Sequence, residues 1–170
     1  KRFSTDLKKS LPRIPLVEEP KDFKAFAKAG RELAELHLNY ESQPSWESVI
    51  VKNGDCGEYR VQKMAFAKMR DAETGKSTDD KRVIHYNPRI TVENIPQEAY
   101  GYVVNGRSAI EWIMERYQVT VNKDSQIKND PNDWASEHNQ PRYILDLLLS
   151  VITVSMKTVD IVKILPKLKI

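Results

Sequence analysis

The sequence predicts an α+β fold: a small, mainly antiparallel sheet packed with several helices, and a long buried helix near the C-terminus. Three observations carry this. Short segments rich in β-branched and aromatic residues cluster in the first half of the chain. Helical periodicity lies on either side of them. Strands and helices are segregated along the chain rather than alternating as a βαβ layout requires.

Residues 1–20 read as an extended connector, because Pro12, Pro15 and Pro20 flank the apolar pair Ile14 and Leu16. Residues 21–170 form the domain proper. A helix is expected over residues 22–38, with Phe23, Phe26, Gly30, Leu33 and His37 at three-and-four spacing and Ala29 and Leu36 widening the stripe. Asp22 suits its N-cap and Asn39 its end. Pro44, Asn53, Gly54 and Gly57 mark residues 41–58 as loop, with a short strand over 48–52. Three more strands follow over 59–69, 82–86 and 90–95, the last two separated by Asn87-Pro88. The polar stretch 71–81, with Gly75 at its tip, suits a hairpin.

Pro96 and Glu98 begin a short helix through Val104, which Asn105-Gly106 breaks. Ser108 and Glu111 have the spacing of a capping box: the serine accepts from the third amide and the glutamate reaches back. The helix they open places Ile110, Ile113, Met114 and Tyr117 on one face. After a polar loop, Pro141 starts the longest helix, which runs to about Leu165 before Pro166. Its apolar residues go nearly all round, so it is expected to be buried on most sides or to pack two neighbours. No internal repeat is visible.

Composition narrows the class. The 170 residues are enough for one domain, and the 40% apolar fraction supplies one core. A net charge of +3, from 27 basic and 24 acidic residues, excludes a histone-like polycation but leaves nucleic acid open. The lone Cys56 excludes a disulfide framework and a cysteine zinc cage, and fits a reducing cytosol. The first methionine is Met64 and residues 1–10 are polar and basic, so the chain reads as a cytoplasmic piece of a larger protein without a signal peptide. The most apolar run, residues 143–156, falls short of the roughly 20 residues that span a bilayer and carries Asp146. No membrane contact is expected.

Motifs of chemistry are broken wherever they begin. Gly75-Lys76-Ser77 resembles the tail of a phosphate-binding loop, but Arg70 stands where its first glycine belongs. Asn87-Pro88 resembles the start of the adenine-methyltransferase motif, but Arg89 follows in place of a second proline and an aromatic. The run Asp130-Pro131-Asn132-Asp133-Trp134 reads as a capped turn with the tryptophan plugging the core. His37, His85 and His138 lie in three different elements, none with a metal-ligand partner at the usual spacing. No catalytic constellation is present.

What remains is charge. Residues 59–90 hold eight bases, among them Arg60, Lys63, Lys68, Lys81, Arg82 and Arg89, against four acids. Such a cluster is either a solvated sheet face or a phosphate-tracking surface. Arg107 adds to it, because it precedes a capped helix whose first amides, starting at Ser108, suit a phosphate.

Long strings then carry a resemblance. The segments Leu11-Pro-Arg-Ile-Pro-Leu-Val17 and Phe26 to Tyr40 are among them, with Tyr86-Asn-Pro-Arg-Ile90 and Tyr102-Val-Val-Asn-Gly-Arg-Ser108. Glu115-Arg-Tyr-Gln-Val119, Asn129-Asp-Pro-Asn-Asp-Trp134 and Pro141-Arg-Tyr143 continue the series. In order, they resemble the C-terminal target-recognition part of Type ISP single-chain restriction-modification enzymes. Those proteins place a nuclease first, then a helicase motor, a coupling region, an adenine methyltransferase and last a specificity domain. Residues 64–81 share none of this wording, and such a stretch is where sequence-reading residues would be expected.

The resemblance implies a domain that reads double-stranded DNA for methylation and ATP-dependent cleavage carried out elsewhere in the parent. It also implies that the methyltransferase domain of that chain is a neighbour. S-adenosylmethionine, ATP and magnesium would belong to the parent, with no cofactor in this fragment and no enzyme activity of its own. The alternative is a bracing domain that docks its long apolar helix on the methyltransferase without reading bases. A free-standing enzyme would need a site that the sequence does not display.

Overall fold

The computed structural model describes residues 17–70 and 75–167. The connector expected over 1–20 lies largely outside them, but its last residue does not: Pro20 opens the first helix, α1 (Pro20–Leu38), with Glu19 at the N-cap. Proline's fixed φ suits the first helical position, so Asp22 falls in the first turn instead of capping it. Asn39 closes α1 as expected. The buried stripe centres on Ala29 and Leu36, which turns Phe23 and Gly30 to the exposed side.

Four strands build the main sheet: β1 (Ile50–Lys52), β2 (Ala65–Arg70), β3 (Ser77–His85) and β4 (Thr91–Glu93). They lie in the order β1-β4-β3-β2, and every pairing is antiparallel. Val51, Val92, Ile84 and Phe66 stand side by side across the sheet and face the core. The opposite row, Lys52, Thr91, His85 and Ala65, lies on the outer face.

The strand expected over 59–69 forms only in its second half. Residues 59–64 are held by side chains instead of a ladder. Tyr86 Oη donates to Tyr59 O at 2.7 Å, and Asn87 Nδ2 donates to Glu58 O and Arg60 O. Asn132 takes both backbone groups of Val61 at 2.8 Å. Each carbonyl or amide satisfied this way is lost to strand pairing.

β3 is longer than the expected 82–86 and begins at Ser77. Its register with β2 slips between Phe66 and Ala67, leaving Lys81, Arg82 and Val83 without opposite residues. The bulge is filled from outside: Tyr100 Oη donates to Lys81 O at 2.6 Å and Ile95 N to Arg82 O at 3.1 Å.

The helix expected over 96–104 is a 3-10 turn, Gln97–Gly101, followed by a two-stranded ribbon of β5 (Val103–Val104) and β6 (Arg107–Ser108). Asn105 and Gly106 have φ of 49° and 85°, the left-handed pair that closes a tight hairpin, so this dipeptide turns a ribbon and does not end a helix. α2 (Ala109–Arg116) carries the predicted capping box in full. The stretch after it is not simply a polar loop. It forms a hairpin of β7 (Thr120–Val121) and β8 (Lys128–Asn129), then the short helix α3 (Asn132–Glu137). Trp134 is 43% exposed, stacked on His138 and tilted against Tyr143, and does not plug the core. Asn132 is the buried residue of that turn.

The last helix, α4 (Tyr143–Lys163), is buried on most sides, as its all-round apolar pattern requires. It touches α1, α2, α3 and the 3-10 turn at Gln97–Gly101. Ile144, Leu145, Leu148 and Ile152 are fully enclosed with Ile84, Tyr86 and Ile110. Its buried hydroxyls are satisfied: Ser150 Oγ donates to Gln43 O and Thr153 Oγ1 to Pro44 O, which pins the 43–44 loop to the helix. No helix among the described residues is long and apolar enough to cross a membrane.

Candidate nucleic-acid interface

The fold distributes the basic residues of the 60–108 segment over three places and gives six of them, Arg60, Lys68, Lys81, Arg82, Arg89 and Arg107, an acid. Lys68 and Arg82 lie on the β2–β3 hairpin. Lys68 and Asp79 are direct cross-strand partners and form an ion pair. Arg82 folds back on Asp80, with Nε at 2.9 Å and Nη2 at 3.0 Å, and those bonds hold the Asp80 carboxyl below its usual range.

Beyond the bulge the hairpin leaves the core. Lys68, Met69, Arg70, Ser77, Thr78 and Asp79 are all exposed, so it projects as an antiparallel ribbon. Lys63 sits just before β2, exposed and without an acid partner among the described residues.

Arg60 and Arg89 flank a groove of about 510 Å³ lined by Tyr59, Asn87, Pro88, Ala135 and Pro141. Arg89 Nε meets Glu58 at 3.0 Å, both side chains well exposed. Arg60 is tied to Asp130, whose carboxylate is 2% exposed, and lies 3.7 Å from Asp133. Asp130 also accepts from Lys128 Nζ at 2.9 Å and from the amide and side chain of Asn132. Burial alone would raise its pKa. Those hydrogen bonds, from Lys128 first, outweigh burial and hold the carboxyl at about 2.

The third place is the start of α2. Ser108 is buried, and its Oγ accepts from Glu111 N and donates to Glu111 Oε2 at 2.7 Å. Glu111 also receives Ser108 N and Lys81 Nζ, the latter at 2.8 Å. The bulge aims Lys81 there, over the rings of Phe66 and Tyr100. Burial would raise the Glu111 pKa, but the bonds from Lys81 and Ser108 prevail and set it at about 2. The N-terminus of α2 therefore already holds an anion, its own Glu111. Arg107 pairs with Glu115 and covers one side of Trp112, with Arg116 on the same ring.

The broken motifs are accounted for. Gly75-Lys76-Ser77 leads into a strand, where a phosphate-binding loop would need a helix. Asn87 spends its side chain on a turn, accepting from Arg89 N and Ile90 N while donating to two carbonyls. No group of three or more metal-ligating side chains forms among the described residues.

Sequence reading missed the acids Glu58, Asp130 and Glu115 that complete these pairs. It also missed Arg116 beside Trp112. The shared string Asn129 to Trp134 was the available signal for Asp130, but the arginine it pairs, Arg60, lies seventy residues away.

The family model described as the Type ISP C-terminal specificity domain matches residues 1–147. Similar solved structures include three that contain related enzymes. One is a nuclease-deletion mutant of the Type ISP restriction-modification enzyme LlaGI in complex with a DNA substrate mimic, with 46% identity and a TM-score of 0.81. Another is the ATP-dependent Type ISP enzyme LlaBIII bound to DNA, with 46% identity and a TM-score of 0.80. The third is a DrdV–DNA complex, with 27% identity and a TM-score of 0.69. These matches cover 99%, 99% and 100% of this chain but only 15%, 10% and 16% of the other chains. No curated protein matches the sequence.

Proposed function

Because the chain belongs to the Type ISP C-terminal specificity domain family, we propose that it reads duplex DNA for a larger restriction-modification protein. The observation that carries this reading is the pair of Type ISP enzymes, each 46% identical over 99% of this chain, whose structures contain DNA or a DNA mimic. The exposed β2–β3 ribbon supports it, since a two-stranded ribbon has the width to enter a major groove. By itself the domain catalyses nothing. Adenine methylation and ATP-dependent cleavage, with S-adenosylmethionine, ATP and magnesium, belong to other parts of the parent.

Roles divide by exposure. Lys63, Lys68, Arg82 and Arg89 are the phosphate contacts, their side chains reaching solvent. Arg60 and Arg107 are further phosphate contacts at the groove and beside α2. Lys81 and Ser108 hold the bulge and the helix start in place through Glu111.

A methyltransferase domain of the same parent is the proposed neighbour. The long apolar helix α4 is buried within the domain itself, so such a neighbour would rest on other surface, with Leu38 at 82% and Ile164 at 77% exposed among the apolar residues offered. If docking were the whole function, the domain would only brace.

Duplexes enriched from a random library by the 170-residue chain, then titrated by anisotropy across a salt series, separate the two readings. Weak binding is expected from the isolated domain. Alanine at Lys63, Lys68, Arg82 or Arg89 is expected to flatten the log-log salt slope on the enriched duplex by about 0.9 each. No enrichment, or four folded variants with unchanged slope and site choice, leaves the bracing role as the better reading.

A further inference from the structure

We propose that Asp79 and Glu58 are internal counter-anions that suppress sequence-independent DNA binding, which makes them specificity determinants although they touch no base. The inference rests on the DNA-reading role proposed above and adds what its acids do.

The pairs differ in kind. Asp130 is 2% exposed and engages Arg60, Lys128 and Asn132, so it is part of the fold. Glu111 is likewise committed to the capping box. Lys68–Asp79 and Arg89–Glu58 are different, because both partners of each pair are well exposed and neither acid has another tie. Exposed pairs of this sort contribute little to folding and exchange readily. Yet each places a carboxylate where a DNA phosphate would sit against the same cation. A cation already paired inside the protein neutralises less phosphate charge and so releases fewer of the counterions condensed on DNA, and that release drives non-specific binding. Lys63, with no acid partner among the described residues, is the unmasked comparison.

On a random-sequence duplex Asp79 and Glu58 keep their cations. On the recognised site, contacts elsewhere fix the phosphates in place and the pairs exchange. The acids thus lower affinity for random DNA more than for the site.

The test uses the 170-residue chain, a random-sequence duplex and an enriched duplex, with anisotropy read across a salt series. Asp79→Asn and Glu58→Gln are each expected to raise random-DNA affinity roughly fivefold to tenfold at 0.1 M salt, and to steepen the slope by about 0.9. The gain on the enriched duplex is expected to be smaller. In an Asp79→Asn background, Lys68→Ala should abolish the gain. Glu32→Gln, which frees Lys28 on α1, provides the control for net charge alone.

If Glu32→Gln raises binding as much as the other two, masking is refuted and the effect is only net charge. If wild type binds but Asp79→Asn and Glu58→Gln leave affinity and slope unchanged, the counter-anion role fails while DNA reading stands. If neither wild type nor variants bind any duplex at low salt, both fail. Binding that appears only in the variants supports masking directly. Circular dichroism and Tm confirm that each variant is folded.

Discussion

Asn132→Ala tests how the fold secures the segment that carries Arg60. The side chain of Asn132 accepts from Val61 N and donates to Val61 O, both at 2.8 Å, and donates to Asp130 Oδ1 at 2.7 Å. Val61 is fully buried and Asn132 nearly so. Truncation leaves two backbone groups without partners, at about 1–3 kcal/mol each, and removes one hydrogen bond to a charged carboxylate. Asn132 borders the groove beside Arg60, so water reaches part of the space and the lower half of that range applies. The expected loss is about 3 kcal/mol, or roughly 6–12 °C in Tm for a chain of this size.

Asn132→Asp should be at least as damaging at neutral pH, since it replaces the donor to Val61 O with a second negative charge beside Asp130. Ser136→Ala, at an exposed neighbour whose hydroxyl bonds only Asn132 O, should fall within about 0.5 kcal/mol of wild type. Urea denaturation followed by circular dichroism gives the values, with an unchanged m-value showing that stability changed and the surface exposed on unfolding did not. A loss below about 1 kcal/mol for Asn132→Ala would refute the reasoning that a side chain here replaces a strand ladder.

Two further outcomes follow from the same contacts. Ser108→Ala removes the acceptor for Glu111 N and one donor to its carboxylate, and should cost about 1–2 kcal/mol by thermal melts. Asp130 and Glu111 both have folded pKa values of about 2, depressed below their unfolded values. Their stabilisation is therefore present above roughly pH 5 and is lost as pH falls towards 2. Unfolding free energy measured against pH should show that decline. Asp130→Asn should flatten it and lower stability at pH 7; an unaltered profile would show that the carboxylate is not held by its bonds.

Much of this architecture is decided by residues within four positions of one another. The Ser108–Glu111 box, the stop of α1 at Asn39 and the all-round apolar run of α4 are legible because caps and periodicity act locally. The Asn105-Gly106 turn is equally local, yet the strands it joins have only two residues each, too few to show a strand pattern, so the dipeptide reads as a helix breaker. Broken chemical motifs could also be recognised from single positions such as Arg70 and Arg89.

The candidate interface was not legible in that way. A count of bases shows how many cations there are, not which have partners, and the partners are set by the packed core. Arg60 meets Asp130 across seventy residues, Lys81 meets Glu111 across thirty, and Lys68 meets Asp79 only because the hairpin register puts them opposite. The bulge at Lys81–Val83 and the exit of the ribbon from the core depend on Tyr100 and Ile95 reaching back to β3. The sequence by itself determined the fold class, the stop of α1 at Asn39, the capping box of α2 and the family wording, since these are properties of neighbouring residues. Only the tertiary structure decided which charges are masked, because Coulomb interactions between side chains fall off over a few ångströms of space, whatever their separation along the chain.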